Sequence, residues 1–316
     1  MEFFKKKWNW VKNTIVGKII GDIIKGFEHD SPLLYGASIA FYMIFSMPAL
    51  LIFTVVIAGY IYGEQAAQGQ LFYYIEDFVG AESAEQIQNI IKNAAIDEAG
   101  YVARIVGIAT LTFSATTVFV NIQLALNAIW GVRAKPQKGW LKLIIDRLFS
   151  FAIVIFLGVL LLASILIEAL LSGFRHLLVK IFSDYTIYLI EVASSVTNIA
   201  IVTLVFALVF KLLPDARIRW KDVWVGSIVT TILFVIGKNL IGIYLSTSSF
   251  SSTYGAAGSL VIILLWIYYS AVIFLIGAEF TKAYSQRVGK AIRPKKNAVK
   301  VEKREIEREV KQEEKS

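Results

Sequence analysis

The chain has no cysteine, which excludes disulfide staples, thiolate metal sites and a cysteine nucleophile. Histidine is almost as scarce. The two present, His29 and His176, fall on opposite sides of the membrane in the topology derived below, so no histidine-based metal or acid–base centre is expected. Charge is also thin: 18% of 316 residues are charged while 57% are hydrophobic, with a mean hydropathy of +0.64. A soluble domain of this size carries far more charge, so the composition is that of an integral membrane protein. The net charge of +8 does not point to a specific nucleic-acid partner. The basic residues flank apolar runs, as anchoring charges on the cytoplasmic side do.

What the sequence does hold is organised around Gly100–Trp130, long enough to span a bilayer as a helix yet unusually polar. At 100° per residue, Thr110, Ser114, Thr117 and Asn121 share one face, while Thr112, Thr116, Gln123 and Asn127 share a second. Hydroxyl and amide groups are costly in hydrocarbon unless hydrogen-bonded, so neither face is expected to meet lipid. Such a helix belongs at the centre of a bundle. Two readings stand: the groups glue helices together, or they line a polar cavity.

Taken in order, residues 1–30 lack the uninterrupted apolar core of a signal peptide, because Lys5, Lys6, Lys7, Lys12, Lys18 and Lys25 intervene. Trp8, Val11, Ile15, Ile19, Ile23 and Phe27 recur at helical spacing, which predicts an amphipathic interfacial helix on anionic phospholipid. The expected fold class is all-α: a six-helix transmembrane domain over residues 31–284, followed by a charged, solvated or disordered tail at 285–316. The spans are expected near Pro32–Tyr62, Gly100–Trp130, Leu148–Leu171, Ile187–Leu213, Val223–Leu245 and Ala256–Tyr284. Pro48 should kink or break the first of them. Residues 64–99 are acidic and read as short amphipathic helices outside the bilayer. Lys and Arg crowd the N-terminal segment, the loops after spans two and four, and the tail. The other connections hold only Lys92, Arg175 and Lys180, which puts both termini in the cytoplasm.

Two blocks of residues resemble a known family. In the sixth span these are Tyr254-Gly255-Ala256-Ala257-Gly258-Ser259-Leu260, Leu265-Trp266-Ile267-Tyr268-Tyr269-Ser270 and Gly277-Ala278-Glu279-Phe280; in the first, Ala37-Ser38-Ile39-Ala40-Phe41-Tyr42 with Pro48 beyond. Together with Pro214-Asp215, Trp224 and Gly226, they resemble the YihY, or virulence factor BrkB-like, family of bacterial membrane proteins. The resemblance covers about Gly26 to Tyr284. It implies a six-helix inner-membrane protein, a historical ribonuclease name widely regarded as a misassignment, and suggested roles in serum resistance or the movement of lipids and envelope components. It supplies no catalytic residues.

A site must therefore come from the chain itself. At ~1.5 Å per helical residue, Arg104, Glu168, Glu191 and Lys238 all fall in the outer half of the membrane, on four different spans. Charges at that depth should face inward, pair or meet water. Structural ion pairs account for them, as does an outward-opening cavity that takes a charged or amphiphilic substrate, joined by Ser114, Thr117, Asn121, Gln123 and Asn127. Glu279 stands apart, near the cytoplasmic end of span six and close to Lys282. Asp146, Asp215 and Asp222 are scattered among basic residues and form no paired acid–base set. The expected function is that of a non-enzymatic membrane transporter or translocase of a lipid or small amphiphile, needing no cofactor or metal. The alternative is a structural or scaffold membrane protein.

Overall fold

The structure, a computed structural model, describes residues 14–62, 101–135, 185–247 and 258–301, together with 85, 152, 153, 155, 156 and 159. Residues 64–84 and 86–99, most of the expected third span, and the chain beyond 301 lie outside the described residues. Within them run six helices: α1 (Ile15–Asp30), α2 (Pro32–Tyr62), α3 (Tyr101–Ile129), α4 (Tyr185–Leu212), α5 (Trp220–Thr247) and α6 (Gly258–Arg287). Four of them, α3 to α6, hold windows long and apolar enough to cross a membrane, and α2 adds the apolar stretch Pro32–Met47. The helix α2 continues through Pro48 without a break.

The fold is mostly helical, as expected, with four short strands added among the described residues. β1 (Val132–Ala134) follows α3, β2 (Ala216–Arg217) follows α4, and β3 (Arg293–Pro294) and β4 (Ala298–Lys300) follow α6. β4 pairs antiparallel with β1, and β3 with β2. Residues 293–300 of the expected loose tail are therefore fastened to the two basic loops. This pairing also gathers the ends of α3, α4 and α6 and the start of α5 at one pole, called here the strand pole. Gly131 makes the exit from α3 possible: its φ of 62° lies where an L side chain is strained.

The polar helix α3 is the most enclosed of the spanning windows, 44% buried against 17% to 33% for the others. Its half nearer the strand pole packs into an aromatic core. Trp130 meets Phe210 edge-on at 6.0 Å, Phe210 stacks on Phe274 at 5.0 Å, and Phe206 joins Phe274 to Phe234. The Trp130 indole N–H donates to the Ala278 carbonyl at 3.2 Å, so this large buried ring also satisfies its polar edge.

Helices α5 and α6 approach through small residues. A methyl group added at Gly226 would fall 2.0 Å from Thr281 Oγ1, and one at Gly277 would fall 2.0 Å from Thr230 Oγ1. Each threonine bonds its own helix, Thr230 to the Gly226 carbonyl and Thr281 to that of Gly277, both at 2.7 Å. The glycine of one helix thus receives the threonine of the other, twice. In lipid, where helix association depends on van der Waals contact, such close approach is a principal source of adhesion.

Candidate functional site

α1 is amphipathic in three directions. Thr14 caps it, accepting the Gly17 N–H at 3.1 Å, and Ser31 ends it in a left-handed turn (φ 52°) that leads straight into α2. Ile19 is buried against the body, while Val16, Ile20 and Ile24 form an exposed apolar stripe beside it. The helix keeps Lys18, Lys25 and Glu28 exposed. Its fastened face repeats every four residues: Asp22, Gly26 and Asp30.

Each of the three meets the last turns of α6. Asp22 receives a forked pair of bonds from Arg287, Nε to Oδ2 at 2.5 Å and Nη2 to Oδ1 at 2.8 Å. This guanidinium holds the Asp22 carboxyl below the usual carboxylate range. At Gly26 the missing side chain admits Glu279, whose Oε2 would lie 2.5 Å from an added Cβ. Asp30, nearly buried, accepts from Lys282 and lies 2.9 Å from His29 Nδ1. Burial pushes its carboxyl up, but the hydrogen bonds from Lys282 and His29 outweigh that and leave it lowered. Lys282 also reaches Glu279 Oε2 at 3.3 Å. Glu279 itself is 1% exposed, and its Oε1 has no hydrogen-bond partner among the described residues.

Two further carboxylates act as joints at the same pole. Asp222, buried in the first turn of α5, accepts from Arg219 at 3.1 Å and 3.2 Å and from the Lys290 N–H at 3.4 Å. Asp215 accepts from Asn127 Nδ2 at 2.9 Å and Gln123 Nε2 at 3.3 Å, and returns its own N–H to Asn127 Oδ1 at 2.8 Å. Its carbonyl takes the Lys295 N–H at 2.8 Å. Asp146 lies outside the described residues.

The residues singled out from the sequence divide accordingly. Gln123 and Asn127 come together on Asp215. Ser114 instead stitches α3 to α2, donating to the Phe45 carbonyl at 2.8 Å while Ser46 donates to the Ser114 carbonyl at 2.6 Å. Thr117 bonds back to Phe113, and Asn121 bonds Thr117 and accepts from Ser38 at 3.4 Å. Lys238 is half-buried in α5. The backbone positions of Arg104 and Glu191 fall, like Lys238, in the half remote from the strand pole, near the starts of α3 and α4. The side chains of Arg104 and Glu191, and all of Glu168, lie outside the described residues. What sequence reading missed is the α1–α6 contact. Its signal was the four-residue repeat of Asp22, Gly26 and Asp30 within an otherwise basic helix.

The family model for virulence factor BrkB matches residues 23–302, from the fastened face of α1 through the last strand. The chain belongs to the virulence factor BrkB family. Among its BrkB-like relatives, a UPF0761 membrane protein of Alteromonas mediterranea is 26% identical over 83% of this chain and 86% of its own length. One from Vibrio cholerae is 27% identical over 67% of this chain and 70% of its own. A third, from Pseudomonas aeruginosa, is 30% identical over 55% of this chain and 40% of its own. No solved structure matches. Membership in the BrkB family and the apolar helices agree on an integral membrane protein.

Proposed function

We propose that the protein is a translocase of the bacterial plasma membrane that carries a lipid or other amphiphile past a polar region in the half of the bundle remote from the strands. The observation that carries this reading is Lys238. An ammonium group sits half-buried within the spanning segment Trp220–Leu245, in the same half of the bundle as the backbone of Arg104 and Glu191. Ionisable groups inside membrane spans are costly, and they mark substrate or ion pathways more often than not. The amphipathic α1 suits the headgroup layer of anionic phospholipid, its Val16, Ile20 and Ile24 stripe toward the acyl chains.

Reconstituted into vesicles bearing a fluorescent phospholipid, the protein is expected to expose inner-leaflet probe to an impermeant quencher at least about tenfold faster than empty vesicles. Lys238→Met should return the rate to the empty-vesicle level while the protein still elutes as a folded species. Wild-type protein no faster than empty vesicles would overturn the proposal. That outcome favours a scaffold, which the closed hydrogen bonding of Ser114 and Ser46 between α2 and α3 also suits.

In the proposed orientation the strand pole is cytoplasmic, because Arg133, Lys135, Arg217, Arg219, Arg293 and Lys295 all gather there. Single cysteines placed in this cysteine-free chain at Arg217 and Lys138 should react with an impermeant thiol reagent only in opened cells. Those at Glu82 and Ser251 should react in intact ones. Labelling of the Arg217 site in intact cells would invert the assignment.

A further inference from the structure

The α1–α6 contact holds an electrostatic imbalance. Two carboxylates, Asp30 and Glu279, converge on one ammonium, Lys282. The Asp30 and Glu279 carboxylates therefore share a single donor, and the two negative charges repel each other across it. The third group, His29, is half-exposed and turned to Asp30. The other elements packed on this stretch of α6 bring no compensating charge among the described residues. From α3 comes the Trp130 indole, bonded to the Ala278 carbonyl, and from α5 come Gly226 and Thr230. The nearest carboxylate on α5, Asp222, is engaged by Arg219 and the Lys290 N–H. Along α2 the neighbours of α6 are Gly36 against Val272 and Tyr268.

We infer that Glu279 is a proton-binding site: its carboxyl carries a proton, donated to Asp30, at the junction of the interfacial helix with the last spanning helix. Three observations converge. Glu279 is 1% exposed, so an uncompensated negative charge there would be expensive. Its Oε1 lacks a donor among the described residues. Lys282 is already bonded to Asp30, so a single proton on Glu279 neutralises the trio and gives Asp30 a second donor. A metal cation fits worse. Hard cations take about six oxygen ligands, and an ammonium already occupies the space between these two carboxylates. The described residues gather no set of acidic and histidine side chains that would hold a metal ion.

Proton release at this position has a geometric consequence. An ionised Glu279 competes with Asp30 for Lys282, and Gly26 leaves room for its carboxylate directly against the α1 backbone. The occupancy of the site therefore biases how firmly α1 is held to α6. The inference stands whether or not the protein moves a substrate.

Infrared difference spectroscopy on the purified full-length protein in lipid reads the proton without an activity assay. Wild type at neutral pH is expected to show the carbonyl stretch of a protonated carboxylic acid, shifted in heavy water and lost as pH is raised. Glu279→Gln, which keeps the shape and a donor, should lose that band, and Glu279→Asp should displace it. Absence of any such band in wild type at neutral pH overturns the inference, and so does its persistence unchanged in folded Glu279→Gln. If Glu279→Gln does not fold, an unshifted band in Glu279→Asp overturns it equally.

Discussion

Gly277→Leu is expected to leave little folded protein. The site has no room even for a methyl group: an added Cβ would fall 2.0 Å from Thr230 Oγ1 and 2.8 Å from the Thr230 Cβ and Cγ2. The threonine cannot swing away without giving up its 2.7 Å bond to the Gly226 carbonyl. Beyond it, Gly226 receives Thr281 in the same manner. Relief therefore requires α5 and α6 to separate along the whole seam, at a loss of more than about 3 kcal/mol, the upper end of overpacking costs. The check is thermal unfolding and monodispersity in detergent, set beside Gly242→Leu, a glycine with no neighbour within 4 Å. Gly277→Ala combined with Thr230→Gly should recover most of what Gly277→Ala loses alone. A Gly277→Leu protein as stable as the Gly242→Leu control would mean that the two helices do not meet here.

Lys282→Met is expected to be the most damaging change of a single charge, lowering stability by about 2–3 kcal/mol. Asp30 and Glu279 are nearly buried on either side of it, and removing one partner of a buried pair leaves the other charge without compensation. The lysine is 22% exposed, so solvent softens the loss to below the usual range of about 3–5 kcal/mol. The same substitution made with Asp30→Asn should be milder than Lys282→Met alone, which is the signature of coupled groups. Thermal midpoints of the two single variants and the double variant settle it. Strict additivity would show that Asp30 and Lys282 do not interact in the folded protein. Arg287→Met is the natural comparison: its pairing with Asp22 is more exposed on both sides, and its loss should cost well under half as much.

The sequence was readable wherever a helical period and a long apolar run coincide. The bounds of α2, α4, α5 and α6 follow from hydropathy with shifts of a few residues, and the enclosure of α3 follows from having hydroxyls on two faces. The amphipathic character of α1 was equally plain, but its rotation was not. The row Ile15, Ile19, Ile23 and Phe27 was expected to face lipid, yet Ile19 is buried against the body, and the neighbouring row Val16, Ile20 and Ile24 is the more exposed. The contact face is set by Asp22, Gly26 and Asp30, whose partners are more than two hundred residues away in sequence. Helical periodicity fixes a face but cannot name its partner. The strands were illegible for a related reason. Segments of two or three residues have no periodicity to detect, and a Lys- and Arg-rich stretch such as 290–300 reads as solvated whether or not its backbone is paired. Which helix carries each of Arg104, Glu191 and Lys238 was available from hydropathy alone. The local bonding of Ser114, Thr117 and Asn121 to backbone carbonyls was not, because it depends on which helix lies alongside.

The pairing of β4 with β1 and β3 with β2 bears on the order in which the chain can be completed during synthesis. Val132 waits for Lys300, across more than half the length of the polypeptide, and the fastened face of α1 waits for α6. α1 and the strands that follow α6 thus close the same pole, and neither can do so before α6 has been made. Ribosome-bound chains arrested before Arg293 emerges should hold every span yet leave Asp215 without the backbone N–H of Lys295. Residues 293–300, though rich in charge, act as the closing clasp of the assembly.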